Sequence, residues 1–366
     1  MLRIIRALLL VFIAGAVFAQ ENTPAHRALR RFSRGVNFGN YLEVPRGQNW
    51  GMRHDTSDLD HVKKEGFDHV RLPIAWQHYA GPAPEFKLES QIFGQVDALV
   101  TNALARGLNM IINIQHFDDF TTDPPAHTQK FYAIWRQIAD YYSAQPEGLA
   151  FELLNEPKDK ATTETMNPIY AEAIGMIRKT NPNRTIFVGP SKWNSLDEIP
   201  KLRLPEDNNL IVTVHSYEPF NFSHQGASWT GASVSTTGIR YPGPPEKPLQ
   251  PDPKALEAKP SLAKWFENYN HQPTINNLSG PKAFVARMEN VAVWAKEHNR
   301  PIHLGEFGAY EKADRESRVR FYTDVRKTAE RLGWGWAVWD WKAGFKYWDK
   351  DQAVPGMHDA LFGPAS

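Results

Sequence analysis

Cysteine is missing from all 366 residues. Its absence excludes thiol nucleophiles, disulfide staples and a lipid-anchored cysteine, so any chemistry falls to carboxylates, histidines and hydroxyls. An excess of charge is missing too. Lys and Arg number 42 against 41 Asp and Glu, a net charge of +1, and no basic patch or charged tail points to a nucleic-acid or membrane-surface partner. A comfortable membrane span is also lacking, because the apolar run from Ala7 to Phe18 is too short. A Gly-rich phosphate turn does not follow the first strand candidate, which weighs against a nucleotide-binding doubly wound sheet. Neither a linker nor a second binding module is visible.

What is present begins with Arg3 and Arg6, then the apolar run, then Val-Phe-Ala ending at Ala19. This is the pattern of a secretory signal peptide, so cleavage near Ala19 and export to the periplasm or beyond are expected, with residues 20–366 as one mature domain. An exported chain without disulfides depends on its core alone, which suits one large domain. The 12 Trp serve core packing or sugar stacking, and composition does not divide them.

Short apolar runs alternate with stretches of helical period. Strands are expected at 35–38, 69–72, 109–114, 149–154, 185–188, 210–214, 301–304 and 334–338. Helices are expected at about 57–65, 91–106, 128–143, 164–180, 282–298 and 314–331. Continuous apolar strands separated by helices imply parallel strands covered on both faces. Eight such units predict an α/β fold, a single (β/α)₈ TIM barrel. One stretch breaks the rhythm: residues 219–280 contain no convincing strand, and 242–260 hold seven prolines. A long Pro-rich insertion after strand 6 is therefore expected, at the barrel face where sites are built.

Polar residues cluster at the expected C-terminal ends of these strands. The second strand brings Arg71, the third His116, and the fourth, within FELLNEP, Asn155 and Glu156. The sixth brings His215 and Tyr217, the seventh Glu306 and the eighth Trp339. Any one of these is commonplace, whereas six strands delivering them together to one barrel mouth indicate a site. Two carboxylates facing across it suggest glycoside hydrolysis, retaining at about 5 Å and inverting at about 6.5–9.5 Å. Glu152 lies earlier on the Glu156 strand, and its place nearer the strand start assigns it to structure. Trp229 in the insertion is a candidate sugar platform, and Asn40 and Glu43 are candidates for an outer subsite. His116, Asp118 and Asp119 lack a metal-binding spacing, so no metal and no other cofactor is expected.

The segments RGVNFGN, HVRLP, NIQH, LLNEP, VHSY, LGEFG and VWDWKAGF, in this order over roughly 33–362, resemble glycoside hydrolase family 5, the large cellulase family of the retaining (β/α)₈ clan. The resemblance implies Glu156 as general acid/base and Glu306 as nucleophile, with Arg71 beside the nucleophile and Tyr217 donating to it. It implies Asn155 on the sugar 2-hydroxyl, His116 and His215 lining the subsite, and Trp339 as its floor. An endo-acting β-1,4-glucanase working as a monomer on a β-linked polysaccharide or oligosaccharide is the expected activity. The same site would serve β-mannan, mixed-linkage glucan or xyloglucan, and a barrel that binds carbohydrate without cleaving it is the reading from another class.

Overall fold

The structure, a computed structural model, describes residues 22–364, so the expected signal peptide lies outside the described residues. Eight parallel strands close into a barrel in sequence order, β1 pairing with both β2 and β8. They are β1 Arg34–Asn37, β2 His69–Leu72, β3 Asn109–Asn113, β4 Leu149–Glu152, β5 Ile186–Val188, β6 Leu210–His215, β7 Ile302–Phe307 and β8 Gly335–Val338. Nearly every strand residue is buried, as it must be when helices cover the outside and side chains fill the inside.

The helices sit where the sequence pattern put them, and their ends have local causes. Thr56–Glu65 starts at a reciprocal cap between Asp55 and Asp58 and stops at Gly66, whose φ of 98° lets its N–H reach back to the Lys63 and Val62 carbonyls. Arg315–Arg331 starts on the Asp314 side chain, which accepts from the Ser317 N–H, and ends before Leu332-Gly333. Between β5 and β6 the unit has no long helix, only the turn Ser191–Asn194 and the 3-10 helix Leu196–Lys201.

The chain between β6 and β7 is more structured than its prolines suggested. It holds the helices Pro253–Ala258 and Leu262–His271 before the barrel helix Val285–Glu297. Phe222, Ile239, Tyr241, Phe266 and Tyr269 from this segment join the main core. Asn277, which heads a glycosylation-like triplet, is fully buried with its amide donating to the Tyr269 and Gln272 carbonyls. Among the described residues, no helix is long and apolar enough to cross a membrane.

Inside the barrel the layers differ in chemistry. At the N-terminal end Ala25, Ala28, Leu29 and Phe32 pack on Ile111, Ala150, Phe187 and Ile211, an apolar plug. Each large side chain buried there contributes about 1.5–3 kcal/mol. Above the plug the interior turns polar, with Asn37, Arg71, Glu152 and Thr213 all buried. Glycines make room for them: a Cβ on Gly35 would lie 2.2 Å from His69 Nε2, and one on Gly305 would lie 2.5 Å from Thr213 Oγ1.

Gly35→Ala is therefore expected to destabilise the fold by about 1–3 kcal/mol, because the His69 ring is held against His303 and cannot give way. Urea unfolding should show a lower midpoint with an unchanged slope, and an unaltered midpoint would refute this account of the interior.

Candidate active site

Arg71 is the centre of the polar interior. Its Nε and Nη2 donate to the two oxygens of Glu152 at 2.6 and 2.7 Å. Its Nη1 donates to Asn37 Oδ1 and Glu306 Oε1, both at 2.8 Å, and Nη2 also reaches Asn155 Oδ1 at 2.7 Å. A fully buried guanidinium is tolerable only when paired and hydrogen-bonded in this way.

Glu306 lies on β7, with one oxygen on Arg71 and the other accepting from the Tyr217 hydroxyl at 2.8 Å. Glu156 arrives differently. Strand β4 ends at Glu152; Leu153 and Leu154 stay buried, the Asn155 N–H bonds to the Ile114 carbonyl, and Glu156 adopts a φ of 49°. That left-handed backbone costs on the order of 1–3 kcal/mol, and it turns the carboxylate back over the barrel mouth. His215 Nδ1 lies 2.8 Å from Glu156 Oε1 and 3.6 Å from Glu306 Oε2. One ligand atom from each of these three side chains lies within 4.8 Å of the others. Such donors could also attract a metal ion, but the Arg71 cation on Glu306 opposes a second positive charge.

Burial governs the ionisation of the site. It pushes Glu156 up to about 7, against the pull of Arg71 and Lys158. Burial raises Glu306 as well, against His215, Arg71 and the Tyr217 donor, all of which favour its anion. With direct bonds from both Arg71 and Tyr217, Glu306 is the better anion of the pair, and the shared proton belongs on Glu156. His215 is lowered to about 4 by burial and is neutral near pH 7. Buried beside the Glu306 and Glu156 carboxylates, Tyr217 is held well above the ordinary phenol range and keeps its proton.

Around these groups opens a cleft of about 1010 Å³ with Trp339, Trp229, Trp193, Trp50, Phe220 and Tyr310 in its lining. Trp339 packs over Gly39, where a Cβ would lie 2.8 Å from the indole. Trp229 is 60% exposed and edge-on to Tyr310, and Trp193 is 57% exposed. By contrast Trp76, Trp135, Trp336 and Trp341 are fully buried, so both uses of tryptophan occur.

Of the residues expected from sequence, Arg71, Asn155, Glu156, His215, Tyr217 and Glu306 form one connected network. His116, Trp339 and Trp229 line the same cleft without joining that network, and His116 sits 6.2 Å from the Trp50 ring. Asn40 lines the cleft, but Glu43 does not serve an outer subsite. It is buried under the first loop, accepting from the Asn40 and Tyr41 N–H groups, and burial raises it to about 7. Asp118 pairs with Lys158 at 2.9 Å. Sequence reading missed Asn37, Trp50, Lys192, Trp193 and Asn194, and it undervalued Glu152. A polar residue inside an apolar strand was the available signal for Asn37 and Glu152; the loop residues carried none.

Residues 33–344 match the sequence profile of the family described as cellulase (glycosyl hydrolase family 5). Endoglucanase H of Acetivibrio thermocellus is 28% identical over 326 residues, covering 89% of this chain and 31% of that protein. Endoglucanase 3 of Fibrobacter succinogenes is 27% identical over 361 residues, covering 93% and 54%. The chain thus spans less than two thirds of either relative. Among solved structures, endoglucanase Cel5A from the hyperthermophilic Thermotoga maritima is similar with 34% identity and a TM-score of 0.81, over 93% of this chain and 100% of that one. Cel5A has also been solved with cellobiose and with mannotriose.

Arg71→Met should destabilise the protein by about 3–5 kcal/mol near neutral pH, because it strands the Glu152 and Glu306 carboxylates. Burial already raises Glu306, and without its Arg71 partner that carboxylate is raised further, so its cost fades as it takes up a proton. Denaturation across pH should show the gap from wild type narrowing as pH falls, and Glu152→Gln added to the variant should recover part of the loss. A gap constant with pH would contradict the ion-pair account.

Proposed function

The chain belongs to glycoside hydrolase family 5, the cellulase family, and from that premise we propose that it is a retaining endo-β-1,4-glucanase with Glu306 as nucleophile and Glu156 as acid/base. The observation that carries the proposal is the carboxylate pair, an oxygen of each within 4.8 Å of the other. Inversion needs room for a water between carboxyls about 6.5–9.5 Å apart, whereas direct attack needs the shorter gap.

The chemistry follows from the charges. With a glucan chain over Trp339, the Glu306 carboxylate attacks the anomeric carbon while Glu156 passes its proton to the departing glycosidic oxygen. The leaving chain carries that proton as a new hydroxyl, and the remaining sugar is an ester of Glu306. Esterification removes the negative charge beside Glu156, so its pKa falls and the anion becomes a base. Glu156 then takes a proton from water as the water oxygen attacks the same carbon, and Glu306 departs as a carboxylate. Two displacements at one carbon retain its configuration. Arg71 and Tyr217 hold Glu306 as the attacking anion, and Asn155 faces the sugar 2-hydroxyl in this reading.

The open, aromatic cleft supports an endo mode of attack, since stacking rewards a chain that lies across several platforms. Residues 219–280 are read here as an insertion that brings Trp229 to that cleft. A second substrate is favoured by one observation: similar Cel5A has been solved with mannotriose as well as cellobiose, so β-mannan belongs in the assay. Export is part of the proposal and rests on the N-terminal pattern ending at Ala19.

Reducing-sugar release from carboxymethyl-cellulose and barley β-glucan is the expected result, with galactomannan alongside. Glu156→Gln should lose about 10²–10⁴-fold in kcat, the usual share of acid–base catalysis. Glu306→Gln should abolish turnover. The first product seen by proton NMR should be the β anomer; an α anomer would refute retention, and silence on all three glycans would refute the activity.

Glu156 also sets an upper pH limit. Because its protonated form is needed and its pKa is about 7, kcat/KM should fall roughly tenfold per pH unit above that point. A profile still flat at pH 9 would reassign the acid.

A further inference from the structure

The turn after β5 has an unusual backbone for residues that are not glycine. Lys192, Trp193 and Asn194 have φ values of 51°, 60° and 54°, three left-handed residues in succession. Side chains and backbone on both sides hold the turn in place. The Trp193 N–H bonds to the Pro157 carbonyl, Thr163 Oγ1 accepts from the Ser191 N–H, and Lys192 pairs with Glu198 at 2.7 Å. Backbone of this kind persists where surroundings over-determine it, and it gathers at functional sites. One product of the turn is Trp193, presented to the cleft. The other is Asn194, which is fully buried and points inward.

Asn194 Nδ2 lies 3.3 Å from His215 Nε2, on the side of the imidazole opposite to Glu156. Gly189 leaves the space for that amide, since a Cβ there would lie 2.6 Å from Asn194 Oδ1. We propose that Asn194 is a positioning residue that fixes the tautomer of His215 and thereby the oxygen of Glu156 that carries the catalytic proton. This inference rests on the reading of Glu156 as the acid/base.

Both ends of the imidazole agree on the assignment. At Nδ1 the ring meets two carboxylate oxygens, Glu156 Oε1 at 2.8 Å and Glu306 Oε2 at 3.6 Å, and both call for a donor. At Nε2 it meets an amide nitrogen, which calls for an acceptor. A neutral His215 with its proton on Nδ1 satisfies both. That N–H then occupies Oε1 of Glu156, where a carboxyl proton would collide with it. The acid proton is confined to Oε2, the oxygen left for the leaving group. The other charged or titratable groups acting on His215 or Glu156 are Arg71, Glu152, Lys158, Tyr217 and His303, and none of them contacts Nε2 in the way Asn194 does.

The test reads the tautomer directly. In protein labelled with ¹⁵N-histidine, with His215 assigned by its absence in His215→Gln, long-range proton–nitrogen spectra at pH 7 should show Nδ1 protonated and Nε2 bare. Asn194→Asp puts an acceptor at Nε2, so the ring should become doubly protonated. The cation favours the Glu156 anion, and the basic limb of kcat/KM should move to lower pH. Asn194→Leu removes the donor, and kcat should fall roughly tenfold or more while KM stays close to wild type, as part of the acid–base contribution is lost. A proton on Nε2 in the wild type overturns the proposal without any variant. So does an unchanged ring in Asn194→Asp, or pH profiles of the variants that superimpose on wild type. The ring is observed without substrate, so a failure of the proposed glycosidase activity would show separately, in the assays, while the tautomer still answers for Asn194.

Discussion

A positive charge without water has to be surrounded, and the interior of this barrel is arranged around that requirement. Arg71 projects from β2 into the barrel and is fully buried, and the side chains that meet it come from β1, β4, the loop after β4, and β7. Glu152 neutralises it with two parallel bonds, which leaves a second edge of the guanidinium for Glu306. Glycines leave room for other buried polar side chains of the interior, since a methyl at Gly35 or Gly305 would take the space of His69 or Thr213. A barrel filled by branched aliphatics would be the simpler solution for stability. This one confines its aliphatic packing to the lower end and accepts a polar layer above it, because the anion at the mouth has to be held from below.

The upper rim solves a different problem. Parallel strands all end on this face, but their extended backbone aims residues alternately inward and outward, and a working site needs side chains at angles a strand cannot offer. Left-handed residues supply them. Asn40, His116, Glu156, Lys192, Trp193 and Asn194 all have positive φ, and five of the six line the cleft. The sixth, Asn194, sits behind His215. Left-handed backbone and functional placement therefore coincide along the mouth, and the ladder itself shifts register at Val214/His215 and between Leu304 and Phe307, where β6 and β7 deliver His215 and Glu306.

The barrel itself was legible because its signals are repetitive: eight apolar runs and six helical stretches, each reinforcing the others. The network residues were legible for a related reason. Arg71, Asn155, Glu156, His215, Tyr217 and Glu306 are polar residues at or just past the ends of apolar strands, and that contrast is visible in one dimension. The expected end of β4 falls two residues late, because Leu153 and Leu154 stay buried after the ladder stops. Glu152 was visible but its weight was not, since only three dimensions reveal that it balances a guanidinium two strands away. Asn194 and Trp193 gave no signal at all: the conformation that makes them useful is imposed by Pro157, Thr163 and Glu198, partners distant in sequence or silent in pattern. Glu43 misled in the opposite direction. A carboxylate following the first strand suggests an outer subsite, and it is instead a cap for two backbone N–H groups.

The position of the long excursion between β6 and β7 bears on how such a protein can change. It leaves the C-terminal end of β6 and returns through the helix Val285–Glu297 to the start of β7, the parallel strand beside it. Lengthening or replacing a connection between fixed points costs little entropy, growing only with the logarithm of its length. Its own aromatic residues supply part of its packing, as with Tyr241 against Phe222 and Trp265 against Tyr269. The rest comes from the barrel, with Tyr241 packed on Phe321 and bonded to Asp324, so a lineage that rebuilt this wall of the cleft would have to keep those anchors while the charge network beneath went on unaltered.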